Sequence, residues 1–143
     1  MAIRFIRLLT MIAAFWAVPA MAQQALPPSD AAAFRETITR QIEAFGKGDG
    51  GTAWSFASPG IQAKFGDAGT FLRMVAQGYG ALVNPKSVEF GDVTSELGWP
   101  TQVVTVVDRD GHAWQALYAF ERQSDGSWRI SACTLRRLAG ADA

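Results

Sequence analysis

From Phe34 onward the apolar positions recur every three or four residues, at Ile38, Ile42 and Phe45, while Arg35, Glu36, Arg40 and Glu43 fill the other faces. A stripe of that period predicts an amphipathic helix with one buried side. Ser29 or Asp30 is placed to cap it ahead of Ala31, and Gly46 to end it. The same period continues in shorter pieces. Thr52 to Ala57 predicts a brief helix carrying Trp54 and Phe56. Ser58-Pro59, a cap followed by proline at the first helical position, opens another through Ile61 and Phe65, which Gly66 closes. A further helix capped by Thr70 places Phe71, Leu72, Met74 and Val75 on its apolar side, and Gly78 and Gly80 loosen its end around Tyr79.

At Asn84-Pro85 the period shortens to two. Val88 and Phe90 alternate with Glu89 up to Thr94, and Thr101 to Val107 is rich in β-branched residues, the composition of a buried strand. Asp110-Gly111 turns the chain into His112 to Glu121, where Trp114, Tyr118 and Phe120 share one face. Asp125-Gly126 then turns it into Trp128 to Leu135. Both Asp-Gly pairs are hairpin signals. The pattern predicts an α+β fold, with N-terminal helices packed on an antiparallel sheet of about four strands.

The first residues follow another grammar. Arg4 and Arg7 precede the apolar stretch Leu8 to Val18, and Pro19 ends it before the small-residue site Ala20-Met21-Ala22. That order is a cleavable secretory signal. A run of roughly eleven residues reaches about 16 Å as a helix at ~1.5 Å per residue, short of the about 30 Å of a bilayer core. Stable membrane insertion after cleavage is therefore not expected. The arginines are not adjacent and no cysteine sits at the cleavage site, which points to general secretion into a periplasmic or extracellular space. The expected organisation is a signal peptide over 1–22, a flexible lead-in over 23–29, one domain over 30–138 and a C-terminal tail over 139–143.

Composition narrows the partners. Lys and Arg together number 13, as do Asp and Glu, and the signal removes two of the cations. The slightly acidic remainder lacks the basic footprint that nucleic acid requires. Cys133 is the only cysteine, so no intrachain disulfide forms even in an oxidising compartment. Stability must then come from an aromatic core, and Cys133 reads as a small buried hydrophobe.

Little in the sequence carries catalytic chemistry. The glycine-rich Gly46-Lys47-Gly48-Asp49-Gly50-Gly51 follows a helix rather than a strand, which makes it a helix connector and not a phosphate loop. His112 sits beside a turn, and Asp108 and Asp110 flank it as turn formers, so neither a metal nor another cofactor is implied. Ser58 precedes proline and serves as a cap. Glu89 and Glu121 lie on separate strands with no fixed spacing. Aromatics with a polar handle remain: Trp54, Tyr79, Trp114 and Tyr118. Such side chains line ligand pockets and also fill cores, and Tyr79, Trp114 and Tyr118 are the candidate ligand-binding residues.

Two segments, FASPGIQAKFGDAGTFLRMVAQGYGALVNPKSVEFGD from Phe56 to Asp92 and ERQSDGSWRISACTL from Glu121 to Leu135, resemble a family of small exported proteins, domain of unknown function number 4864. The order of helices then sheet resembles the nuclear transport factor 2-like, or SnoaL-like, superfamily. That resemblance implies a curved sheet wrapped around helices into a cone with a pocket, and an open sheet face able to support a homodimer. It departs from the superfamily in one respect, since no segment here reads as a strand between the early helices. The expected role is a non-catalytic module for a small apolar or amphipathic ligand. The alternative is an isomerase- or hydrolase-type enzyme using His112 or a buried carboxylate.

Overall fold

The computed structural model describes residues 26–95 and 98–142. The expected signal and residues 23–25 of the lead-in lie outside them, and the lead-in's last two residues, Pro28 and Ser29, are helical rather than flexible. Helix α1 spans Pro28–Lys47, α2 Gly50–Ser55, α3 Pro59–Phe65 and α4 Ala68–Gly78, and a single 3-10 turn follows at Gly80–Leu82. Strands β1 (Ser87–Thr94), β2 (Thr101–Val107), β3 (His112–Arg122) and β4 (Trp128–Asp142) then form one sheet in the order β1-β2-β3-β4, every pair antiparallel. This is the expected α+β arrangement of helices followed by a four-stranded meander. Among the described residues no strand separates the early helices; Ala57 makes only one parallel bridge, to Ile130.

Helix ends differ from the sequence reading where backbone chemistry outcompetes side-chain caps. Helix α1 begins at Pro28 with Pro27 as its cap, not after Ser29 or Asp30. Proline is suited there because the first helical N–H has no intrahelical acceptor to lose. The helix also runs past Gly46. Gly48, at φ 66°, ends it, with the amides of Gly48 and Asp49 returning to Phe45 O and Ala44 O, the Schellman closure. Gly46 serves packing instead, since a Cβ there would stand 2.4 Å from Asn84 Oδ1. Helix α4 is capped by Asp67, not Thr70. The Thr70 amide and hydroxyl both donate to the Asp67 carboxylate, as those of Thr52 do to Asp49 at the start of α2. Ser58 caps α3 as expected, accepting from the Ile61 amide at 3.4 Å.

The predicted stripe on α1 is the centre of the core. Phe34, Ile38, Ile42 and Phe45 are all buried, against Val104, Val106, Ala116, Tyr118 and Phe120 of the sheet. Phe34 stacks on Phe120 with ring centroids 4.1 Å apart and 11° between planes, and Trp128 meets Phe34 edge-on at 5.1 Å.

Three irregularities interrupt the ladder. One lies between Phe90 and Val93 of β1, where the Gln102 amide fills the gap by donating to Gly91 O at 2.7 Å. The others lie in the β3–β4 pair, at His112/Trp114 and at Ala119/Phe120. Strand β4 continues to Asp142, which pairs with His112, so the segment expected as a tail from residue 139 is strand through 142.

Because Phe34 joins α1 to both β3 and β4, Phe34→Ala is expected to destabilise the protein by about 3–5 kcal/mol, read as a shift of the denaturant midpoint with the slope unchanged.

Candidate functional site

Helices α1, α3 and α4, the 3-10 turn and strands β3 and β4 line a half-open cavity of about 440 Å³. Its walls are mostly apolar, with Phe45, Phe71, Val75 and Ile130 on the inner side. Polar groups gather on the wall contributed by β3 and β4. Tyr118 and Cys133 are directly paired across those strands. Tyr79, at the end of α4, reaches over and donates from Oη to the Cys133 carbonyl at 2.9 Å. That bond satisfies an acceptor on the edge strand and clamps the helical layer to it.

Tyr118 is 1 % exposed, and its hydroxyl has no partner in hydrogen-bond geometry. The enclosed Cys133 thiol lies beside it as a weak hydrogen-bonding neighbour, outside good hydrogen-bond geometry. Burial, then the Cys133 and Tyr79 groups, push the Tyr118 hydroxyl well above the usual tyrosine range. Tyr79 is raised by burial and then by Cys133. Cys133 is half-buried as an edge-strand residue, but its thiol is enclosed, and burial pushes it up to about 12, opposed by the Tyr118 hydroxyl. All three groups are therefore protonated and neutral near pH 7. A wall of this kind donates hydrogen bonds; it offers neither a thiolate nucleophile nor a phenolate base.

Two of the three candidate residues thus meet at the cavity, and the third does not. Trp114 shares a sheet face with Tyr118, but its indole N–H donates to Asp108 Oδ2 at 2.9 Å, and the residue is not part of the cavity wall. Trp54 packs on Phe71 at 5.5 Å, outside the cavity lining. Glu121 lines the cavity while Glu89 is exposed on β1, so the two carboxylates are not brought together. Cys133, Ser58 and Phe45 were not candidates from sequence. Cys133 was read only as packing, and its place opposite Tyr118 depends on strand register.

His112 stands at the β2–β3 hairpin and is not part of the cavity wall. Asp108, Asp110 and His112 bring their potential ligand atoms within 4.8 Å of one another. Asp108 is occupied by the turn, however: its Oδ1 accepts from the amides of Asp110 and His112, and its Oδ2 accepts from Trp114 and lies 3.5 Å from His112 Nδ1. These bonds, that from Trp114 foremost, hold the Asp108 carboxyl at about 2. The aspartates here build a turn, as the sequence suggested.

The family whose model matches this chain is described as Domain of unknown function (DUF4864), over residues 28–143. No curated protein and no solved structure matches significantly.

A carboxylate whose folded value is depressed contributes stability that is complete above its unfolded value and lost as pH falls through the folded one. For Asp108 that window runs from 3.8 down to about 2. Asp108→Asn is expected to flatten the fall of Tm across it, and thermal unfolding at stepped pH checks this. Asp49, Asp67 and Asp125, lowered chiefly by bonds from Thr52, Thr70 and Ser127, retain the rest of the slope. An unchanged slope in the variant would show that folding does not hold the Asp108 carboxyl below its ordinary range.

Proposed function

We propose that this chain, which belongs to the DUF4864 family, acts outside the cytoplasm as a non-catalytic module that holds a small apolar or amphipathic molecule in the cavity beside Tyr79 and Tyr118. The observation that carries this reading is the cavity itself. At about 440 Å³ it falls in the range of small-molecule sites, roughly 300–1,000 Å³, and it joins an apolar interior to a few convergent polar groups. Family membership does not choose between binding and catalysis. Neutral Tyr79, Tyr118 and Cys133 favour binding, because none is a ready acid, base or nucleophile near pH 7. His112, the main acid/base candidate, lies at the hairpin rather than on the cavity wall.

Two finer features belong to this reading. The order of helices then meander, with register shifts in β1 and at two places in β3–β4, supports a sheet bent into the cone of the nuclear transport factor 2-like superfamily. Export rests on the arginine, apolar and small-residue grammar of residues 1–22. A homodimer would use the sheet face opposite the helices.

Native mass spectrometry of the protein from its own host tests these points together. The expected species begins at Gln23, carries a small adduct that leaves on denaturation, and reports monomer or dimer directly. An intact chain from Met1 in the cytoplasm overturns the export reading. For the cavity, the neutral fluorophore phenylnaphthylamine is expected to bind the mature protein with enhanced emission. Met74→Trp, which fills the cavity from α4, is expected to weaken that binding by about tenfold or more. Absence of binding in the wild-type protein, or equal binding in the variant, overturns the proposed site.

A further inference from the structure

Three enclosed polar atoms have no hydrogen-bond partner among the described residues: Gln102 Oε1, Trp128 Nε1 and Tyr118 Oη. Of the residues that carry them, only Tyr118 belongs to the cavity wall. A buried hydroxyl left unpaired costs the fold about 1–3 kcal/mol, and phenylalanine would fill the same space without that cost. Retaining such a group in a pocket wall is the mark of a site shaped by its ligand rather than by stability alone.

We infer that the cavity takes a ligand bearing a neutral hydrogen-bond acceptor, a ketone- or ester-type carbonyl on an apolar body, and that Tyr118 Oη is the donor that reads it. The inference rests on the binding reading above and specifies its ligand class. The neighbouring acceptor is already used, since the Cys133 carbonyl takes the Tyr79 proton. What remains beside Tyr118 Oη is the Cys133 thiol, a weak acceptor outside good geometry that a carbonyl oxygen can displace. Burial keeps the Tyr118 proton in place at neutral pH.

The surroundings select a neutral acceptor over an anion. No cationic side chain stands on the inner wall. Lys64 is the basic residue of the lining, and it is exposed, with its Nζ 5.4 Å from the Phe65 ring centroid. Glu121 on the same lining repels an incoming carboxylate. A charged group drawn inside would lose its hydration with no partner of opposite sign. A carbonyl pays far less on entry and gains the hydrogen bond.

The test uses a matched pair of probes, acetylnaphthalene and ethylnaphthalene, which share their shape and differ in the carbonyl. In wild-type protein the ketone is expected to bind about tenfold tighter than ethylnaphthalene. Tyr118→Phe should abolish that preference by weakening the ketone alone, while its Tm stays level or rises because an unpaired hydroxyl has been removed. Infrared spectroscopy of isotope-labelled acetylnaphthalene needs no variant. Its carbonyl band is expected at lower wavenumber in the wild-type complex than in hexane, the sign of an accepted hydrogen bond. Equal affinity for the two probes together with an unshifted band overturns the inference and leaves the cavity reading standing. Failure of both probes to bind overturns the cavity reading, and the inference with it.

Discussion

One extra residue in β4 decides what faces the interior. Phe120 pairs with Ile130 and Ala119 with Ala132, so Ser131 has no residue opposite it. Side chains alternate along a strand, and an inserted residue reverses which parity points inward. On the hairpin side of the irregularity, Trp128 and Ile130 pack against the core; beyond it, Cys133 and Leu135 do. An uninterrupted hairpin would set Ala132 opposite Tyr118 and turn Cys133 outward. The bulge therefore brings Tyr118, Cys133 and the carbonyl that Tyr79 holds onto one wall.

The bulge also meets the helical layer at the link between α2 and α3. Ile130 exchanges backbone hydrogen bonds with the α2–α3 link, its amide donating to Phe56 O and its carbonyl accepting from the Ser58 amide. A strand edge that would otherwise present unpaired groups is closed there by the chain itself. The rest of the fold converges on the same place. Phe34 stacks on Phe120 one residue from the irregularity, and Trp128 closes over it. Short helices α2, α3 and α4 contribute little stability by propensity. They are held by aspartate and serine caps at their starts and by the aromatic contacts of Phe71 with Phe45, Trp54 and Phe65. The cavity lies where these short elements fall short of a continuous helical cover.

The order of elements was legible because it depends on local periodicity. The Phe34-Ile38-Ile42-Phe45 stripe, the Ser58-Pro59 start and both Asp-Gly turns correspond to observed features. Helix ends were less legible, since Thr70 and Asp67 are both cap-forming residues and only the geometry shows which accepts. The site was half legible. Tyr79 and Tyr118 stood out as aromatics with hydroxyls, whereas Trp114 shared their chemistry but is held by Asp108 at the far turn. Cys133 was hidden by register. Trp128, Ile130, Cys133 and Leu135 run at spacings of two, three and two, a broken alternation that a bulge explains. Periodicity alone reads the same break as the end of a strand, and separating the two requires the partner strand.

The hydroxyl and thiol groups of the cavity's polar wall are neutral, with Glu121 and Lys64 the charged side chains of its lining, and that balance defines the chemistry open to it. The strongly lowered carboxylate, Asp108, lies in the β2–β3 turn under four hydrogen-bonding or ionic contacts. The cavity wall shows the opposite electrostatics, since burial raises Tyr79, Tyr118 and Cys133 together. Cys133 and Tyr79 make ionisation of Tyr118 more costly, and Cys133 that of Tyr79, because a phenolate would sit beside a second incipient anion, whereas the Tyr118 hydroxyl eases ionisation of Cys133. Grouping them thus fixes the two tyrosines in their neutral forms more firmly than burial alone, while burial holds the Cys133 thiol. Such a wall presents hydrogen-bond donors and shape rather than charge. The Tyr79 bond to the Cys133 carbonyl ties the end of α4 to the edge strand, so the two tyrosines and the thiol are held in one fixed arrangement.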